Sequence, residues 1–365
     1  MDLFDVAIVG AGPAGSTCAT LCARAGLSVL LLERTLFPRH KVCGDCINPS
    51  CWEIFDHLGI SDRIPRLDHA ELDTVRFEST AGAPVEVPLP TTGVSEIAVR
   101  RSDLDALLLE LASNSGTTVR QGERLTSLAR TGKLWAIDTD HGSHFARHIV
   151  AADGRNSTVT RLLRIAPPLT VGRLAVQTHA PVTPEFATTV LLRLLPGGYS
   201  GVAPVGNGEM NICLVSAPKN LPTVRSWAEG RFGLSHSDTA WHSVAPLNRK
   251  AVAPAPRDGL LVIGDAARVV EPFTGEGIYY ALKTGALAAQ ALAAIAADSN
   301  KTTKHLSHFA TSCRRAYRHR LWVNNLARTT VTHPALGDFM LAAGRAFPSL
   351  LPLLTSKIVA AQPTS

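Results

Sequence analysis

Residues 5–9 form a short apolar run that stops at Gly10-Ala11-Gly12-Pro13-Ala14-Gly15. Small and apolar residues recur at helical spacing over 16–24, and a second apolar run, 27–32, ends at Glu33. Strand, glycine turn, helix, strand and acid, in that order, make a βαβ unit and place the chain in the parallel α/β class. After Trp52 the segments shorten: 73–77 and 85–87 read as strands, 102–112 as a helix, and 119–124 and 134–138 as a further pair of strands. Between 170 and 216, runs at 190–195, 198–205 and 210–215 are punctuated by Pro and Gly and predict a separate antiparallel sheet. From Gly277 to Ala297 Ala and Leu take helical spacing, followed by 305–328 and 335–354 with Pro334, Pro348 and Pro352 as interruptions, so the C-terminal third reads as helical.

The chain has 365 residues, 45% of them hydrophobic, enough for two joined domains and too much for a disordered tail or a disulfide-stapled miniprotein. Its 36 Lys and Arg against 30 Asp and Glu give +6, scattered without long runs, so nucleic-acid binding is not indicated. Seven cysteines are an odd number, crowded toward an N-terminus without a signal peptide, which favours reduced thiols and a cytoplasmic setting. The uncharged stretch 284–297 falls short of the ~20 residues of a bilayer span, so no transmembrane helix is expected.

In the opening unit, a first glycine permits the tight turn, Gly12 lets backbone approach a pyrophosphate, and Gly15 lets the helix pack on the sheet. The helix start presents free N–H groups and positive dipole to the diphosphate, and Glu33 is placed for the adenosine ribose hydroxyls. Two later segments favour FAD over NAD: Asp153-Gly154, and an apolar strand closing on Gly264-Asp265 with Gly275 and Gly277 opening a helix. Asp265 can reach a ribityl hydroxyl, and the helix start can face the flavin and stabilise charge on its reduced ring.

Gly10 to Gly15, Arg101-Ser102-Asp103-Leu104-Asp105, Asp153-Gly154 and Gly264-Asp265 together resemble the single-component FAD oxidoreductases of the aromatic hydroxylase fold. Pro38-Arg39-His40-Lys41-Val42-Cys43-Gly44-Asp45 is similar to the P-R-x-K-x-C-G-D signature of the geranylgeranyl reductase family, which saturates isoprenoid double bonds by hydride transfer from reduced FAD. That family's Y-x-W-x-F-P stretch corresponds to Tyr199-Ser200-Gly201-Val202-Ala203-Pro204, with Gly201 and Ala203 in place of the aromatics, a departure that reshapes the substrate side. The resemblance implies that Arg101 contacts the diphosphate or ribityl side, Glu33 the adenosine ribose and Asp265 the ribityl chain and diphosphate. The cofactor set expected is Gly10, Gly12, Ala14, Gly15, Glu33, Arg34, Arg39, Cys43, Arg101, Asp153, Gly264, Asp265, Gly275, Gly277 and Ile278.

Cys43, His40 and Tyr199 are the side chains expected to act on substrate: Cys43, as the resemblance implies, by lining the flavin pocket, with space-filling as the alternative, and His40 as a general acid with an unperturbed pKa near 6.5, with solvated loop charge as the alternative. Arg39 and Lys41 suit FAD phosphates or proton supply. Cys43 and Cys46 form a C-x-x-C, for which an ordinary buried thiol at Cys46 is preferred over a dithiol relay, and no second ligand pair supports zinc. Tyr279 and Tyr280 read as packing residues, and the basic 305–328 helix with Trp322 as a solvated face, peripheral membrane contact being the alternative.

The architecture expected is a discontinuous Rossmann-like FAD-binding domain (1–70, 98–165, 250–298), an antiparallel β-sheet substrate domain (71–97, 166–249) and a C-terminal helical region (299–365). The function expected is FAD-dependent reduction of carbon–carbon double bonds in a lipophilic, isoprenoid-like substrate. NAD(P)H as a transient donor, or an electron-donor reductase, would supply the electrons, since no second glycine fingerprint is visible. The alternatives are an FAD monooxygenase acting on an aromatic or polyketide substrate through a C4a-peroxyflavin, and a non-catalytic flavin or lipid carrier. Halogenation lacks its W-x-W-x-I-P motif.

Overall fold

The computed structural model describes residues 3–347 except 81, 91–94, 169–171, 248–249, 258, 319–324, 327 and 331–332. With strands and helices numbered in chain order, the first sheet holds β1 (Leu3–Val9), β2 (Val29–Glu33), β8 (Thr118–Gln121), β9 (Leu125–Thr131), β10 (Leu134–Thr139), β11 (Ser143–Ala151) and β17 (Leu260–Val262). Its order is β8-β2-β1-β11-β10-β9; β8, β2, β1 and β11 run parallel, β9 and β10 join as an antiparallel meander, and β17 pairs in parallel with the end of β11. The central strands β1 and β2 are continuous apolar runs because helices or loops cover both faces.

The second sheet holds β5 (Thr74–Glu78), β6 (Val85–Pro88), β12 (Leu174–Pro181), β13 (Thr189–Leu195), β14 (Gly198–Gly206), β15 (Glu209–Ser216) and β16 (His242–Val244), in the order β16-β12-β15-β14-β13-β5-β6. It is not purely antiparallel as the sequence predicts: β13 and β5 pair in parallel. β5 arrives from a segment 110 residues upstream, so no hairpin constrains its direction. A third, small sheet of β3 (Cys46–Ile47), β7 (Ile97–Val99) and β4 (His69–Glu71) lies in the order β3-β7-β4.

The helices are α1 (Pro13–Arg24), α2 (Trp52–Leu58), α3 (Arg101–Asn114), α4 (Thr158–Leu162), α5 (Leu221–Phe232), α6 (Gly277–Ala297), α7 (Thr302–Arg318) and α8 (Pro334–Ala346). Among them α5 was not anticipated; its pattern is short and carries Gly230, yet Val224 and Ala228 bury against the second sheet. Pro334 opens α8 rather than interrupting a helix, since a first-turn proline loses no helical hydrogen bond. Arg320, Trp322 and the residues beyond 347 lie outside the described residues. By length and apolarity α6 is sufficient to cross a membrane, but half of it is buried: Ala288, Ala289, Leu292 and Ile295 pack with Cys18, Cys22, Val6 and Leu31.

The α1–α6 crossing leaves no room for a side chain at Gly285, where a Cβ would lie 2.4 Å from the Ala14 carbonyl oxygen. Gly285→Ala is therefore expected to lower stability by about 1–3 kcal/mol in chemical denaturation. Gly230→Ala, exposed and meeting nothing within 4 Å, is expected to raise it by about 0.5–1 kcal/mol.

Candidate functional site

β1 delivers the chain to Gly10, whose φ of +101° and closeness to Ala152, with a Cβ position 2.6 Å from its carbonyl oxygen, admit only glycine. Gly12 caps α1 without a side-chain hydrogen bond, so the first N–H groups of this helix stay available to an anion. Gly15 stands where a Cβ would be 1.8 Å from the Gly10 carbonyl oxygen, the close turn packing that the fingerprint needs. Glu33, at the end of β2, accepts from the Ala11 N–H at 3.0 Å and from Thr35, and is buried.

The cationic side is organised by Asp105, a fully buried carboxylate on α3. It takes Arg101 through two hydrogen bonds of 2.8 and 2.9 Å and Arg39 at 3.2 Å, so one carboxylate sets the direction of two guanidiniums. Asp265 pairs with Arg155 at 3.2 Å, and Asp153 caps α4 by accepting from Thr158 and Val159, its carboxyl pushed up by burial.

Loop 43–45 is tied to the second sheet. Asp45 sits at φ +61°, a left-handed conformation that Asp tolerates better than most residues, and is buried. It accepts from Asn211 at 2.7 Å, from Gln177 and His179 at 3.3 Å, and from the Arg101 N–H at 3.3 Å. The Cys43 carbonyl accepts from Asn211 at 2.7 Å and from the Cys213 thiol at 3.1 Å, and the Cys43 N–H donates to Gln177 at 3.2 Å. Burial pushes the Cys43 thiol up, so it remains protonated at neutral pH, and all seven cysteines are free thiols.

A further buried carboxylate, Glu271, accepts from Arg173 and from the Tyr199 hydroxyl at 3.1 Å, with Arg328 at 3.5 Å. The Tyr199 proton is thus committed to Glu271, and its ring meets Phe273 edge-on at 5.2 Å. His40 is exposed and stacks on His242 at 4.6 Å. Tyr279 and Tyr280 are core residues, Tyr280 stacking on Tyr317 at 4.5 Å.

Of the residues singled out from sequence, all but Gly15 line one cavity of about 390 Å³: the glycine turn, Glu33, Arg34, Arg39, His40, Cys43, Arg101, Asp153, Tyr199, Gly264, Asp265, Gly275, Gly277 and Ile278. Sequence reasoning missed Gln177 and Asn211, and the anchoring part of Asp105 and Glu271. A polar residue in an otherwise apolar strand, as in Leu174–Pro181 and Glu209–Ser216, was the available signal.

These residues fit FAD. Lys41 is largely buried in the cavity wall, among Arg39, Arg101 and Arg155, and no carboxylate among the described residues lies within salt-bridge distance of it. Such a cluster suits a diphosphate at the uncapped start of α1, while Glu33 suits a ribose. The site is that of an FAD-dependent oxidoreductase. The chain belongs to the FAD binding domain family, whose sequence model matches residues 4–319.

Menaquinone reductase of Mycolicibacterium smegmatis is 33% identical over 313 residues, covering 78% of this chain and 75% of its own. Digeranylgeranylglycerophospholipid reductase 1 of Methanothermobacter thermautotrophicus is 29% identical, covering 85% and 82%. The solved structure of PqsL, a probable FAD-dependent monooxygenase from Pseudomonas aeruginosa, shares the fold with a TM-score of 0.78 at 17% identity, covering 92% and 98%.

Burial and the neighbouring Arg155 push the Lys41 pKa down to about 8. A bound diphosphate favours the charged ammonium and raises that value, so FAD binding above pH 8 is expected to take up a proton. The affinity should then fall by up to about tenfold per pH unit as pH rises. Calorimetry in two buffers of different ionisation enthalpy reads the uptake, and Lys41→Gln is expected to abolish it; equal heats for the wild type would contradict the assignment.

Proposed function

We propose that the protein saturates carbon–carbon double bonds of a lipophilic, isoprenoid-like substrate, with NAD(P)H or a partner reductase as the transient source of electrons. The observation that carries this reading is the division of the cavity. Opposite the arginine and glycine side, its wall is apolar and comes from the second sheet: Val75, Phe77, Val190, Leu192, Val202 and Ala203, with Phe273 beside them. Such a wall favours a hydrocarbon chain and gives no charged group for a polar substrate to pair with.

FAD, when bound, would supply the hydride. The residues of the chain hold and orient. Arg39, Lys41, Arg101 and the start of α1 would take the diphosphate end, which leaves the ring end toward loop 43–45 and the Gly275 turn. Cys43, protonated and fixed by the Gln177, Asn211 and Cys213 contacts of its main chain, shapes the approach of substrate. Tyr199 positions the wall through Glu271. Relatives named as reductases of menaquinone and of an isoprenoid lipid support a long apolar substrate.

Gly201 and Ala203 favour one competing reading. Where the resembling motif has aromatics, Gly201 leaves space, its Cβ position 3.7 Å from Leu192, so a flatter aromatic substrate and oxygenation on the shared fold form the alternative.

The two readings part in a single turnover of the FAD-loaded, reduced protein with geranylgeraniol and an aromatic polyketide, with and without oxygen. A product heavier by two hydrogens, formed anaerobically, is the expected result. Oxygen incorporation that disappears anaerobically would replace the reductase reading with the oxygenase one, and flavin that no donor reduces would leave a carrier.

A further inference from the structure

Saturating a double bond consumes a proton as well as a hydride; the Tyr199 hydroxyl is committed to Glu271, and His40 is exposed and stacked on His242. Six carboxylates line the cavity. Five are already acceptors: Glu33 from a main-chain N–H, Asp45 from two amides and an imidazole, Glu123 from Thr139 and His144, Asp153 from the start of α4, and Asp265 from Arg155. Each thus has carboxylate oxygens already engaged by donors or by a cation.

The sixth, Glu96, differs. It stands immediately before β7, whose partner β3 continues from loop 43–45, and its carbonyl anchors the Leu72 N–H just ahead of β5. Its side chain is nine-tenths buried, lines the cavity, and makes no hydrogen bond or ion pair with any described residue. One carboxyl oxygen lies 4.0 Å from where a Cβ would stand on Gly275. Glu96 therefore sits between the Cys43 loop and the Gly275 turn, where the apolar wall begins.

We propose that Glu96 is the catalytic acid of the saturation step. This rests on the reductase reading. As hydride adds to one alkene carbon, the Glu96 O–H bond breaks and its proton forms the C–H bond at the other carbon. The π bond is consumed, and the carboxylate left behind regains a proton from water. Burial alone pushes the Glu96 carboxyl up to about 7, so it carries its proton at and below neutral pH. The titratable groups on the elements around it are Cys43, Asp45, Cys46, Cys51, His69, Glu71, Glu271 and Glu276; burial raises the Cys43, Cys46 and Cys51 thiols and the Asp45 carboxyl, and none of the described Lys, Arg or His residues forms an ion pair with Glu96.

The test is anaerobic reoxidation of dithionite-reduced, FAD-loaded protein by geranylgeraniol or by menaquinol, whose ring is already reduced. Glu96→Gln is expected to keep FAD content and dithionite reduction while slowing reoxidation by about 10²–10⁴-fold. Glu96→Asp should recover part of the rate. The wild-type rate should fall about tenfold per pH unit above pH 7, because only the protonated acid reacts, and that fall should vanish in Glu96→Gln. Should Glu96→Gln lose FAD, the wild-type pH profile and the Glu96→Asp rate decide. A Glu96→Gln rate equal to wild type, or an unchanged pH fall, overturns the role alone. Wild-type reduced protein that neither probe reoxidises overturns the reductase reading and the role with it.

Discussion

Asp45 is the buried carboxylate that ties the loop ahead of the small sheet, and the start of α3, to the second sheet. Removing a carboxylate from water costs several kcal/mol unless donors replace the water, and here Gln177 and His179 on β12, Asn211 on β15 and the Arg101 main chain supply them. The loop that carries it takes a left-handed turn at Asp45, so its path is not one the backbone chooses unaided. With those bonds in place, Cys43 and Gly44 lie on the cavity wall, β3 starts in register with β7, and Glu96 faces the same space. Without them the loop keeps only the Cys43 main-chain bonds to Gln177, Asn211 and Cys213.

Charge is distributed along the cavity in a way that matches this division. At the α1 end, Arg39, Arg101, Arg155 and Lys41 gather, the three arginines directed by Asp105 and Asp265 rather than left to solvent. At the second-sheet end the wall is hydrocarbon, and its buried ionic group, Glu271, is matched by Arg173 and the Tyr199 hydroxyl. A cofactor that is anionic at one end and planar and apolar at the other spans such a gradient. The same gradient excludes water from the end where a hydride would be exposed to it.

Much of this was legible in the chain. The βαβ unit, the Gly10 turn and Glu33 are local, because a glycine turn between two apolar runs has few other uses, and the α6 boundaries follow from a long Ala-rich helical pattern. What stayed hidden depends on long-range pairing. Asn211 and Gln177 are 166 and 132 residues from Asp45, and Glu96 sits beside a three-residue strand too short to announce itself. The parallel β5–β13 pairing escaped for the same reason, since it joins distant segments with no turn between them.

The most direct test of the claim that Asp45 ties loop 43–45 to the second sheet is a double-mutant cycle between Asp45→Ala and Asn211→Ala, read by chemical denaturation. The account predicts that the two changes are non-additive by more than about 1 kcal/mol, because either one already breaks the shared bond. Effects that add to within about 0.5 kcal/mol would contradict it.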